Sequence, residues 1–232
     1  MPALIVNQPF GVGDIIFCQT AVRRIAKEQG YSAIKWLVLP QFVDQCRRAY
    51  PDIEWLNCQE QPFNLNIQHE YDYKGDRVLP LRFNVEIMQV PYRRCMETKY
   101  SLFGMDYRDW KAEAFWVRNG GKEAELYKLQ SPPAKYNLLN TTYRSDFGRT
   151  VPIKPNNDLP CIVMTNIPGF SMFDWALLLE HATEIHTVST GLFYMLELLD
   201  LQQPIHLYPR KPEEKDFRNI DYLFTKPYIL HE

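Results

Sequence analysis

Ala3-Leu4-Ile5-Val6-Asn7-Gln8-Pro9-Phe10-Gly11-Val12-Gly13-Asp14-Ile15-Ile16-Phe17 opens the chain with an apolar run, a glycine-punctuated turn and the start of an amphipathic stretch. Four consecutive apolar residues ending at a turn predict a buried strand. From Asp14 onward Ile15, Cys18, Val22 and Ile25 recur at helical spacing, while Arg23, Arg24, Lys27 and Glu28 fall off that stripe. Gly30 is a helix stop, and 34–39 is the next apolar run. Strand, helix and strand within about 30 residues make a β-α-β unit, whose two strands run parallel. A helix over 41–49, ended by Pro51, and a strand over 53–56 extend the pattern.

The alternation returns after Ser131-Pro132-Pro133, a stiff break that denies a helix its donors. Strands are expected at 136–140, 161–165, 184–188, 204–208 and 228–230, and helices at 171–181, 191–199 and 215–224. Between 59 and 116 only 78–83 and 95–103 look regular, so long loops are expected there, followed by a short charged helix at 122–129. The fold class predicted is α/β: two small Rossmann-like domains, residues 1–133 and 134–232, with mainly parallel sheets and helices on both faces.

The 232 residues are 46% hydrophobic and 23% charged, an ordinary globular balance that excludes disorder and coiled coil. A net charge of −2 gives no global attraction to polyanions. A nucleic-acid role would need a local patch; Tyr92, Arg93, Arg94, Lys99, Arg108 and Lys111, with Tyr100, Tyr107, Trp110 and Trp116 for stacking, could form one. The first residues carry no basic segment or cleavage site, and no apolar run approaches the ~18 residues of a membrane span, so a cytoplasmic protein is expected. Five cysteines without a C-x-x-C pair, and His181 and His186 at a spacing that matches neither a helix face nor a strand face, suggest no metal site.

Open α/β sheets bind ligands outside the carboxyl ends of their strands, so the residues following each strand are the candidates. Gly11-x-Gly13-Asp14 lacks the third glycine of the dinucleotide fingerprint and places an acid where a pyrophosphate would sit, which excludes NAD there. Asp14 either caps the helix start or faces a ligand as general base. Ser189-Thr190-Gly191 offers hydroxyls and backbone donors to a phosphate, or an ordinary helix cap. Arg144, Arg149 and Arg210 follow strand ends and carry the planar donors that grip a diphosphate, unless they are solvated loop cations.

These segments resemble a known family. Gly11-Val12-Gly13-Asp14-Ile15-Ile16-Phe17 with Gln19-Thr20-Ala21, and Ile185-His186-Thr187-Val188-Ser189-Thr190-Gly191 followed by Pro204-Ile205-His206-Leu207-Tyr208, are similar to the signatures of glycosyltransferase family 9, the heptosyltransferase-like group. The resemblance implies a GT-B architecture, with an acceptor (a glycan or small molecule) on the amino-terminal half near Gly11 and Gly13. It implies a nucleotide-sugar donor, as co-substrate, on the carboxyl-terminal half, where the strand ends offer Arg144, Arg149, Ser189, Thr190, Gly191 and Arg210 to hold it. It further implies inverting transfer without a metal or other cofactor, and with it Asp14 is the expected catalytic base. A modified DNA base as acceptor ranks below a glycan, and a non-catalytic nucleotide- or sugar-binding protein is the alternative.

Overall fold

The computed structural model describes residues 2–8, 11–62, 69–81, 95–143, 149–210 and 223–231. The chain forms two compact units, residues 1–117 and 118–232, each built on a five-stranded sheet. The sequence reading placed the border at 133/134. At the observed border, the Val117 N–H donates to the Ala49 carbonyl at 2.7 Å in the first unit, while Arg118 clamps Glu123 and Glu180 in the second. Glu123 lies on the helix of residues 120–130, which therefore belongs to the second unit.

In the first unit β1 (Leu4–Asn7) leads into α1 (Val12–Glu28), then β2 (Ile34–Val38), α2 (Pro40–Ala49) and β3 (Glu54–Asn57). β4 (Tyr71–Tyr73) and β5 (Asp76–Pro80) complete the sheet in the order β3-β2-β1-β5-β4. All neighbours are parallel except β4, which pairs antiparallel with β5. Ile5, Leu37, Cys58 and Val78 form one buried cluster, and the rings of Trp36 and Trp55, register partners on β2 and β3, stack at 5.6 Å. α3 (Cys95–Ser101), within the stretch expected to be regular, and a 3-10 turn at Tyr107–Lys111, where a loop was expected, pack on α1. They bury Tyr100 and Trp110 against Phe17, with ring centroids at 4.9 and 5.7 Å. These two aromatics are core, not a stacking surface.

The second unit begins with α4 (Gly120–Gln130), whose end Ser131 takes a left-handed φ of 44°. β6 (Asn137–Asn140) is followed by a hairpin of β7 (Thr142–Tyr143) and β8 (Arg149–Thr150), then β9 (Cys161–Val163). A 3-10 turn at Met172–Trp175 runs into α5 (Ala176–His181), so the expected single helix is two pieces. β10 (Glu184–Val188), α6 (Leu192–Leu198), β11 (Ile205–Tyr208) and β12 (Tyr228–Leu230) complete an all-parallel sheet ordered β12-β11-β10-β6-β9. The helix expected at 215–224 lies almost wholly outside the described residues. Among the described residues no helix is long and apolar enough to cross a membrane. The rims of the two sheets are short: four residues in β3 and three each in β4, β9 and β12.

One buried carboxylate fixes the last strand. Glu197 of α6 accepts from the Thr225 and Lys226 N–H groups at 3.1 and 3.0 Å, from the Thr225 hydroxyl at 3.1 Å and from the Tyr228 hydroxyl at 2.8 Å. Hydrogen bonds to a charged group are the stronger kind, and a buried donor left without its acceptor is costly. Glu197→Ala is therefore expected to lower unfolding stability by roughly 2–4 kcal/mol, with Glu197→Gln between it and the parent in urea titration. A loss under about 0.5 kcal/mol, the level of an ordinary surface change, would show that the carboxylate does not hold β12.

Candidate functional site

Ligands favour the point where a sheet's strand order reverses, and each unit has one. In the first, β1 has β2 on one side and β5 on the other, so the reversal lies at its carboxyl end, where Asn7 is fully buried. Gly11 follows with φ 81°, a left-handed conformation that glycine adopts without a side-chain clash, and α1 starts at Val12. That start, two residues ahead of the sequence expectation, leaves Asp14 in the first turn and not at the cap, where Gly11 offers no side chain.

The Asp14 carboxylate meets instead the ammonium of Lys99 on α3, which bonds Oδ1. Lys99 is 3% exposed at its side chain and Asp14 29%, so a buried cation faces a half-open anion. Among the described residues no hydrogen bond reaches Oδ2, which lies over Gly11: a Cβ there would come within 2.6 Å of it. Gly11 thus serves the site twice, by its conformation and by the space it leaves. Gly13 is buried within α1.

Lys99 also leaves the basic surface proposed for nucleic acid, because it points inward. Arg108 is ion-paired with Asp106, and Tyr92, Arg93 and Arg94 lie outside the described residues.

The second sheet reverses between β6 and β10. There the Asn140 amide at the end of β6 donates to the Thr187 hydroxyl at 2.8 Å and to the Thr190 hydroxyl at 3.1 Å, tying the loop after β10 across the reversal. Thr190 Oγ1 also accepts from the Leu192 N–H at 3.3 Å, so the local-cap role weighed for this hydroxyl is present. Ser189 is buried, and its carbonyl accepts from Arg210 Nε just past β11. The Arg210 guanidinium lies 5.9 Å from the Tyr143 ring centre. Arg149 is exposed on β8 opposite Tyr143. Gly191 stands before α6 with an ordinary helical φ of −55°. Ser189, Thr190, Gly191 and Arg210 are therefore assembled, with Arg149 at the adjoining hairpin; Arg144 lies outside the described residues. The sequence reading missed Asn140, although a polar residue closing an apolar strand at the carboxyl edge is a visible signal.

One set of metal-ligating side chains converges among the described residues: Glu184, His186 and His206, whose donor atoms lie within 4.8 Å of one another. Burial, with the His206 ring alongside, holds the His186 imidazole down at about 4. The sequence reading weighed His186 against His181, whereas its register partner is His206.

The close approach at Gly11 can be measured. Gly11→Ala is expected to cost about 1–2 kcal/mol of left-handed strain plus displacement of the carboxylate. Gly30→Ala, at φ 70° with nothing within 4 Å, carries the strain alone. Equal losses for the two variants in denaturant titration would show that Asp14 does not press on residue 11.

No family model matches the sequence, and no curated protein does either. Solved structures match the fold. The iron-containing dodecameric glycosyltransferase TibC of enterotoxigenic E. coli superposes with a TM-score of 0.52 at 13% identity, over 89% of this chain and 57% of its own. Its complex with ADP-D-β-D-heptose gives 0.51 at 13% identity, over 90% and 58%. A family 9 glycosyl transferase of Veillonella parvula gives 0.53 at 11% identity, over 89% and 80%. The chain spans less than two thirds of the length of TibC. At these identities the likeness is one of architecture: the chain has the fold of the family 9, heptosyltransferase-like glycosyltransferases.

Proposed function

We propose that the protein transfers a sugar from a nucleotide-diphosphate donor to an acceptor hydroxyl, a glycan or small molecule, with inversion and without a metal in the reaction. The observation that carries the reading is the reversal point of the second sheet. There a buried serine, a threonine held by Asn140 and a guanidinium anchored on the Ser189 carbonyl occupy the place where open α/β sheets take ligands. An arginine fixed through Nε keeps its remaining N–H groups for a bidentate grip on phosphate oxygens. Such donors stabilise a departing diphosphate, which is where charge develops. The TibC complex with ADP-D-β-D-heptose supports a donor of this class.

In the first unit Asp14 is the candidate base. Lys99 fixes one carboxylate oxygen, and the other is left to accept the acceptor's proton. The same ion pair is also what a purely structural role would show, which is the ground of the second reading, a nucleotide- or sugar-binding protein without turnover.

Two measurements separate these. Asp14→Asn keeps an oxygen for the Lys99 ammonium and is expected to fold while losing ~10²-fold or more in turnover, with donor affinity retained. The double variant Asp14→Asn/Lys99→Met removes any unpaired charge and should recover stability without recovering turnover. Full turnover in folded Asp14→Asn removes Asp14 as base, and no nucleotide release by the parent with any nucleotide sugar leaves the binding reading.

For the donor side, Arg210→Ala is expected to weaken nucleoside diphosphate binding by about 1.5–3 kcal/mol in titration calorimetry, the range for a charge-assisted hydrogen bond. Arg149→Ala, at the exposed hairpin, should cost less. Parent-like affinity in Arg210→Ala would displace the donor site from this loop.

A further inference from the structure

Strands in an all-parallel sheet normally read as continuous apolar runs because both faces are covered. One face of the second sheet departs from this. β10 places Glu184 and His186 there, β11 places His206 and Tyr208, and His231 follows β12. His186 and His206 are register partners, and their rings stack at 4.3 Å and 15°. With Asn157 these side chains line a cavity of about 110 Å³.

Their atoms converge. Glu184 Oε2 lies 3.1 Å from His186 Nε2 and 3.6 Å from His206 Nε2. A proton on His186 Nε2 accounts for the first contact, but 3.6 Å is beyond a hydrogen bond. Bonds of ~2.0–2.2 Å in a tetrahedral site put ligand atoms roughly 3.3–3.6 Å apart; the His206 separation falls there and the His186 one is a little shorter, and the stacked rings would turn to aim both Nε2 lone pairs at one ion. The outward nitrogens are also held: His186 Nδ1 lies 3.1 Å from the Tyr208 hydroxyl, and His206 Nδ1 lies 2.9 Å from His231 Nε2. Asn157, itself held by Asn137 at 2.7 Å, donates to Glu184 Oε2 at 2.9 Å. Each prospective ligand therefore has the outer partner that orients metal-binding histidines and carboxylates.

We propose that Glu184, His186 and His206 bind one divalent transition-metal ion of the zinc type, with the fourth position open to the cavity. Two imidazoles and a carboxylate are a donor set that zinc accepts and that hard cations such as magnesium do not favour. Glu184 is the first residue of β10 and His206 the second of β11, whereas Ser189 and Thr190 follow the carboxyl end of β10. The ion thus sits apart from the donor loop and ties β10 and β11 together, with His231 fastening the segment after β12. This does not rest on the glycosyl-transfer reading.

The test uses the full chain freed of metal by chelator and titrated with Zn²⁺ by calorimetry and with Co²⁺ by visible absorption. One ion per chain is expected, with a cobalt band of four-coordinate intensity and a raised melting temperature. His186→Ala and His206→Ala should each weaken Zn²⁺ about 100-fold or more, and Tyr208→Phe about 10-fold, the scale for ligands and their outer partners. Cys161→Ser, at the exposed thiol, should leave binding unchanged. Should the alanine variants not fold, Glu184→Gln and His206→Asn, close in size, give the same comparison. No stoichiometric uptake by the parent, or undiminished uptake in folded variants of His186, His206 or Glu184, would overturn the proposal.

Discussion

A strand that runs parallel to its neighbour cannot be reached by a tight turn, so the chain must cross over one face of the sheet before each new pairing. Both sheets here obey that constraint, and both change direction once, beside β1 and between β6 and β10. The crossovers bury the strands and leave the carboxyl ends as the place where polar chemistry can gather. Asn7, Gly11 and Asp14 stand at one reversal; Asn140, Ser189, Thr190 and Arg210 stand at the other. Among the described residues of these two sheets the antiparallel strand is β4, at a rim where no crossover is needed.

Burial on two faces writes a strand as an apolar run, as in Leu4-Ile5-Val6 of β1; 184–188 and 228–230 were read with the bounds the structure gives them although β10 carries Glu184 and His186 and β12 is half exposed. Short polar elements were not. β4 is Tyr71-Asp72-Tyr73, and the β7–β8 hairpin lies in a stretch read as loop, with two residues in each strand. Two or three residues hold no period to detect.

Side-chain partners across the chain were equally hidden. Nothing local in Asp14 announces Lys99, since the pair depends on how α3 packs against α1. Likewise His186 meets His206 only through strand register, which a sequence carries no record of until the strand order is known. Lys99 makes a related point: charge is visible in a sequence, but the direction in which the side chain points is decided by packing. What did carry over was position relative to strand ends, which is why Ser189, Thr190 and Arg210 came together as the sequence reading had grouped them.

The rims of the sheets bear on how the protein survives at high concentration. An exposed edge presents unpaired N–H and C=O groups that another chain can zip onto, and cross-β stacking draws on segments of about six residues. β3, β4, β9 and β12 offer four, three, three and three. Ile229 and Leu230 are half exposed on β12, which in a longer strand would make an adhesive edge. Here the Glu197 network pins the residues leading into β12 and the Tyr228 hydroxyl within it, limiting how far the strand can peel away to recruit a second molecule. The buried carboxylate that completes the sheet also guards it against aggregation.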